Sequence, residues 1–266
     1  NKSKLLSYSL NNKKIYMKIF NNFLNIELNL RDIFLGSNPH YFFKEINESP
    51  NIVKKTNEKY FFSKNEYDNN KKINFLKKSI NQKKINKIII TGMGTCYTAA
   101  VAISHYMRDV ITNFTNLELI IQPHMASEGS GFYTDKDMSD HLVIILGQSG
   151  TTVDTNTYAK MAKERGAYTV SFLNKRQGDL SYLVDLNLYI GDGRDVEISV
   201  PSTKTYLAHV CLGYIFTLKI IENKNNTKKI IEEKNKLLNL PNIIKREYSQ
   251  IKKIDFKDLF YKFCIN

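Results

Sequence analysis

Apolar positions divide the chain into a central stretch with a repeating strand–helix rhythm and two flanks without one. Five short runs, 87–90, 117–121, 142–146, 168–173 and 186–190, are rich in Ile, Val and Leu and read as buried strands. Between them the period lengthens. Residues 97–110 predict a strongly apolar helix. Residues 152–165 predict an amphipathic one, with Asp154 in its first turn, Lys163 and Arg165 in its last, and Gly166 as its stop. Residues 127–131 are rich in Ser and Gly and read as a turn region, and Ser202 reads as the cap of a long apolar helix over 203–221. Strands alternating with helices predict an α/β protein. Its three α/β/α layers would enclose a five-stranded parallel sheet of order 2-1-3-4-5, the flavodoxin-like arrangement.

The flanks are less regular. Residues 15–35 are amphipathic without clear boundaries. Phe42, Phe43, Ile46, Ile52 and Val53 fit helical spacing, with Pro50 placed for the first turn of a second helix and Ser49 as its N-cap. Residues 64–74 read as a polar loop, and Ile73, Leu76, Ile80 and Ile85 as one helix face. After Asn223 a lysine-rich helix carries Ile230, Ile231, Leu237 and Leu238, Pro241 opens another through Ile244 and Tyr248, and 259–265 is strand-like. The expected organisation is a flank over 1–36 and a main domain over 37–222, with helices over 37–85 ahead of a sheet core over 86–222. A helical tail over 223–266 follows.

Composition narrows the class. The chain has 266 residues, 42% hydrophobic and 12% aromatic, enough for one sizeable core. No apolar run reaches the ~20 residues that span a bilayer, and no secretory signal pattern opens the chain, so no membrane association is expected. The missing initiator Met suggests a piece of something longer. Cys96, Cys211 and Cys264 are odd in number and widely spaced, and the five histidines lack metal-ligand spacing. Neither a disulfide framework nor a metal site is expected, and a reducing, cytoplasmic compartment fits. The net charge of +13 raises the question of nucleic acid. Much of the excess is Lys interleaved with Asn, over 70–84 and 224–236, without an aromatic-and-Arg motif for base stacking. Solvated lysine faces are the preferred reading, and no nucleic-acid partner is expected.

The chemistry sits at two strand-to-helix turns. Thr91-Gly92-Met93-Gly94-Thr95-Cys96 follows the first strand, and Gly147-Gln148-Ser149-Gly150-Thr151-Thr152 follows the third. Glycines let backbone approach an anion, a helix N-terminus offers unpaired N–H groups, and Ser and Thr add donors. In a 2-1-3-4-5 sheet these turns flank the point where strand order reverses, so one composite phosphate site is expected. The competing explanation of the second turn is plain helix capping by Thr151 or Thr152. A dinucleotide cofactor is not expected: Tyr97 replaces the third glycine of the fingerprint, and Gln122 stands where an acidic residue would hold a ribose. No other cofactor is indicated. Glu197 could be a general base, a loop anchor or an ordinary acidic residue, with the anchor preferred. Lys204, in a first helical turn against the dipole preference, would pair with Glu197 or meet an acidic ligand or another subunit. Cys96 at a helix N-terminus suggests a lowered thiol pKa.

Four segments occur in order: His40-Tyr41-Phe42-Phe43-Lys44-Glu45-Ile46 with Pro50, Gly92-Met93-Gly94-Thr95, Gln148-Ser149-Gly150-x-Thr152-x-Asp154-Thr155, and Glu197-Ile198-x-Val200-x-Ser202-Thr203-Lys204. Together they resemble the first sugar-isomerase (SIS) domain of the glutamine–fructose-6-phosphate aminotransferase (glucosamine-6-phosphate synthase) family, over about 38–222 and less clearly to 260. The resemblance implies the SIS fold and a phosphosugar site. Gly94, Thr95 and Cys96 would meet the sugar, and Gly147, Gln148, Ser149, Gly150 and Thr152 the phosphate, with Val200 and Ser202 lining the sugar. Its ligand would be a hexose 6-phosphate, either fructose 6-phosphate or glucosamine 6-phosphate. Two residues depart from the family pattern, Cys96 and Gly147 standing where Ser is usual; each removes a hydroxyl contact worth ~1 kcal/mol or more. The resemblance also implies a homodimer through SIS lobes. The full-length protein would add a glutaminase domain and a second SIS domain that supplies the catalytic Glu and Lys, so this lobe is expected to be inactive alone. The alternative is a non-catalytic lobe that senses phosphosugar or dimerises.

Overall fold

The computed structural model describes residues 7–10, 13–16, 33–63, 67–132, 135–199 and 202–251. Val200, the strand-like 259–265, Cys264 and most of the amphipathic stretch (17–32) lie outside them. Strands β1 (Ser7–Leu10) and β2 (Lys13–Tyr16) pair as an antiparallel hairpin.

The main sheet contains β3 (Lys87–Gly92), β4 (Ile120–Met125), β5 (His141–Gly147), β6 (Tyr168–Leu173) and β7 (Leu186–Tyr189). All pairs are parallel and the order is β4-β3-β5-β6-β7, the 2-1-3-4-5 arrangement. Strand β5 is buried at every position. Its near-continuous apolar sequence is what a central strand covered on both faces requires. Alternation sends Ile88, Ile90, Leu142, Ile144 and Leu146 to one layer, and Ile89, Val143 and Ile145 to the other.

The first layer is thick. It contains α1 (Tyr41–Phe62), α2 (Tyr67–Asn81), α3 (Thr95–Phe114), α7 (Lys204–Ile221) and α8 (Thr227–Ile251). Helix α7 packs between α1 and α3, which is why it is apolar on most faces. The second layer is thinner, with α4 (Ala126–Phe132), α5 (Val153–Glu164) and α6 (Leu180–Leu183). Here Tyr158, Ala159, Ala162 and Leu180 cover the sheet.

Several boundaries differ from expectation. Strand β4 runs over Ile120–Met125 rather than 117–121, because its register follows β3 from Lys87↔Ile120 to Gly92↔Met125. Pro123 is tolerated there because β4 is an edge strand. The Ser/Gly-rich stretch is helical, α4 packing on α5 so closely that a Cβ on Gly129 would lie 2.0 Å from the Tyr158 ring. Pro50 and Pro241 lie inside the continuous helices α1 and α8 instead of starting new ones. Buried faces on either side, Glu45, Ser49, Ile52 and Val53 in α1 and Leu237 and Ile244 in α8, hold each helix across its missing hydrogen bond. Helix α2 begins at Tyr67, within the expected polar loop. Gly166, with φ +90, closes α5 as its position implies.

Candidate functional site

Strands β3 and β5 are neighbours, and their carboxyl ends deliver both turns to the same edge of the sheet. Gly94, with φ +54, is the N-cap of α3, and Thr95 and Cys96 form its first turn. Gly92 is required by packing: a Cβ there would lie 2.8 Å from Cys96 Cβ. Gly147 ends β5, and Gln148, Ser149 and Gly150 turn into α5. Gly150 adopts φ +72, and its carbonyl accepts from Leu180 N–H at 2.9 Å.

The two turns meet. The Gln148 backbone lies beside the Cys96 sulfur and favours its charged form. Burial nevertheless pushes that thiol up to about 12, aided by the Glu197 carboxylate nearby, so the lowering expected at a helix N-terminus does not survive desolvation. Cys96 is a protonated thiol at neutral pH.

Helix capping does not explain the second turn. Thr152 is the N-cap of α5, yet its hydroxyl makes no cap hydrogen bond. The Thr151 hydroxyl lies 2.8 Å from Ser149 Oγ, which also accepts from Thr151 N–H at 3.2 Å. Ser149 and Thr152 thus stand at a helix N-terminus whose first amides lack intrahelical partners, the arrangement that suits an anion. Gly178 supports the turn from beneath, where a Cβ would come within 2.3 Å of Ser149 O.

Glu197 is the hub of the third segment. Its carboxylate accepts from Thr203 N–H at 2.7 Å, Thr203 Oγ1 at 3.0 Å, Ser202 Oγ at 3.2 Å and Thr205 N–H at 3.4 Å, and from the Thr205 hydroxyl. Thr203, not Ser202, is the N-cap of α7, and this carboxylate replaces a side-chain cap. Of the three roles open from sequence, the anchor is the one the geometry shows. Lys204 pairs with Glu48 at 2.6 Å, not with Glu197. Glu45, buried on α1, clamps the same loop by accepting from Ile198 N–H at 2.5 Å and Ser199 N–H at 3.2 Å.

Gly94 to Cys96 and Gly147 to Thr152 therefore stand at the ends of neighbouring strands, while Ser202 is held by Glu197, whose charge acts on Cys96. Sequence reasoning gave no role to Gly178, to Glu45, which it met only as a member of a motif, or to His209. The last is a fully buried imidazole on α7 whose Nε2 lies 3.2 Å from Phe172 O. None carries a local signal, because each acts on backbone distant in sequence.

A parallel sheet with paired glycine–hydroxyl turns at its reversal defines the class. Residues 80–219 match the SIS domain, and the chain belongs to that family. Its sequence is similar to the isomerizing glutamine–fructose-6-phosphate aminotransferase of Fusobacterium nucleatum, 30% identical over 256 residues that cover 89% of this chain and 38% of that protein. The chain spans about a third of the length of the curated relatives it matches. In structure it resembles the C-terminal domain of glucosamine-fructose-6-phosphate aminotransferase from Francisella tularensis. The TM-score is 0.64 with 23% identity, over 77% of this chain and 54% of that one. A glucosamine-6-phosphate deaminase from Thermotoga maritima shares the fold at TM-score 0.58 and 19% identity, over 82% of this chain and 59% of that one.

Among the described residues no helix is long and apolar enough to cross a membrane.

Proposed function

We propose that this chain is the phosphosugar-binding first SIS lobe of a glucosamine-6-phosphate synthase-like enzyme. It would take fructose 6-phosphate or glucosamine 6-phosphate in the crevice between the two turns. The observation that carries the reading is the parallel pairing of β3 with β5, which brings the two turns to adjacent strand ends with the Gln148 backbone beside the Cys96 thiol. The amides of 148–152, with the Ser149 and Thr152 hydroxyls, hold the phosphate. Gly94, Thr95 and Cys96 meet the sugar, which Ser202 lines, and Val200, outside the described residues, is assigned to the same lining by the resemblance alone. The full enzyme would aminate the ketose and isomerise the product, with this domain over 37–222 and the tail over 223–266 leading to a second SIS domain. Dimerisation through SIS lobes belongs to the same reading.

Proton transfer between C1 and C2 needs a carboxylate available to the sugar. Glu197 is engaged by the α7 N-terminus and the Cys96 thiol holds its proton, so this lobe binds and orients while the second domain supplies the base. A lobe that binds without catalysing is also what a phosphosugar-sensing module would be.

A thermal-shift titration tests the binding. Millimolar fructose 6-phosphate or glucosamine 6-phosphate should raise the melting midpoint by about 5 °C when ligand reaches a hundred times Kd, whereas fructose should not. A folded protein whose midpoint ignores every phosphorylated hexose contradicts the proposal.

A further inference from the structure

Asn174 directly follows β6 and is fully buried, and the binding scheme gives it no part. Its backbone N–H donates to the Gly147 carbonyl at 3.3 Å, where β5 ends and the second turn begins. Its side-chain amide donates to the Asp195 carbonyl at 2.5 Å. A carbonyl only accepts, so the amide nitrogen is the end that faces Asp195, and Oδ1 has no hydrogen-bond partner among the described residues. One buried residue thus holds the backbone of two segments far apart in sequence.

The segment that Asn174 reaches is braced along its length. Asp195 accepts from Lys55 Nζ at 3.2 Å through Oδ1 and from Asp192 N–H at 3.0 Å through Oδ2. Glu45 accepts from the Ile198 and Ser199 amides, and Glu197 accepts from the Ser202 hydroxyl at 3.2 Å. These contacts tie the segment to α1 and to the start of α7. Asn174 is where it meets the ends of β5 and β6. The placement of Ser202 relative to the amides of 148–152 therefore runs through this side chain, and a buried amide has no water to take over its hydrogen bond.

We propose that Asn174 is a positioning residue that sets the spacing between the turn over 147–152 and the segment leading to Ser202, so that a phosphate and the sugar it carries are met together. The choice of ligand rests on the phosphosugar reading. Inorganic phosphate needs only the turn, whereas a hexose 6-phosphate needs both segments at a fixed separation, prepared before binding. Loss of the side-chain amide should therefore distinguish the two ligands.

Amide NMR of the whole chain, titrated separately with inorganic phosphate and with fructose 6-phosphate, reads both segments. In the wild type, fructose 6-phosphate should shift resonances of 148–152 and 195–199 with one Kd. Asn174→Ala should weaken fructose 6-phosphate about tenfold and leave the phosphate Kd within about twofold. Without ligand, hydrogen exchange over 195–199 should rise about tenfold. Asn174→Asp, which keeps the shape and removes the donor, serves if the alanine variant does not fold. A folded variant in which both ligands weaken equally, or neither changes, overturns the proposal. If neither variant folds, the wild type decides: a 195–199 segment that ignores saturating fructose 6-phosphate while 148–152 responds overturns it. If neither ligand moves 148–152 in the wild type, the phosphosugar reading fails by itself. Faster exchange over 195–199 in a folded variant then still supports the tie through Asn174, and unchanged exchange overturns it.

Discussion

His209 and Cys96 show how burial decides what a side chain can do. For each, neighbouring backbone groups favour the charged form, carbonyls beside the imidazole and the Gln148 amide beside the thiol, and desolvation outweighs them in both. For His209 this gives a pH dependence. Its native pKa, about 4, lies below the ordinary value of 6.5, so only the unfolded chain takes up this proton as pH falls between them. The stabilisation is complete above pH ~6.5, declines toward pH ~4, and totals roughly 3 kcal/mol. Urea unfolding of the wild-type chain and His209→Gln from pH 7.5 to 4.5 should show the wild type losing more stability on acidification. Parallel curves would contradict the buried neutral ring. At this scale the sequence was informative about residue types at the two turns, and uninformative about ionisation. A cysteine at a helix start looks activated until the atoms enclosing its sulfur are known.

At the scale of elements, packing rather than propensity sets the outcome. Helices α3 and α7 cross where Gly213 meets Ile103, and a Cβ on Gly213 would lie 2.5 to 2.7 Å from that side chain. Gly213→Ala should therefore destabilise by about 1–3 kcal/mol despite alanine's higher helix propensity. Chemical denaturation checks this, and a stabilised variant would show that the crossing has slack. The same competition explains which elements were legible. Runs such as Ile88–Ile90 and Leu142–Leu146 announce themselves, because a strand buried on both faces must be apolar throughout. The helices containing Pro50 and Pro241 were split in two, since proline is a local break signal and the faces that override it are tertiary. Strand β4 was placed too early for a related reason. Gln122 and Pro123 argue against a strand, whereas pairing with β3 requires one.

For the whole molecule, topology brings two ordinary turns to adjacent strand ends. Neither turn has an unusual sequence for a helix start. Their neighbouring positions follow from the order β4-β3-β5-β6-β7, which the strand–helix alternation implied and which the register of β3 with β5 makes concrete. Gly178, packed beneath Ser149, and Glu45, which holds the Ile198 amide from 153 residues away, could not be read from local pattern. The account therefore stands on two turns acting as one receptor for a phosphate ester. Backbone amide NMR during a fructose 6-phosphate titration tests this most directly. Resonances of 95–97 and of 148–152 should move together along one binding curve with a single Kd. Shifts confined to one turn, or different curves for the two, would contradict it.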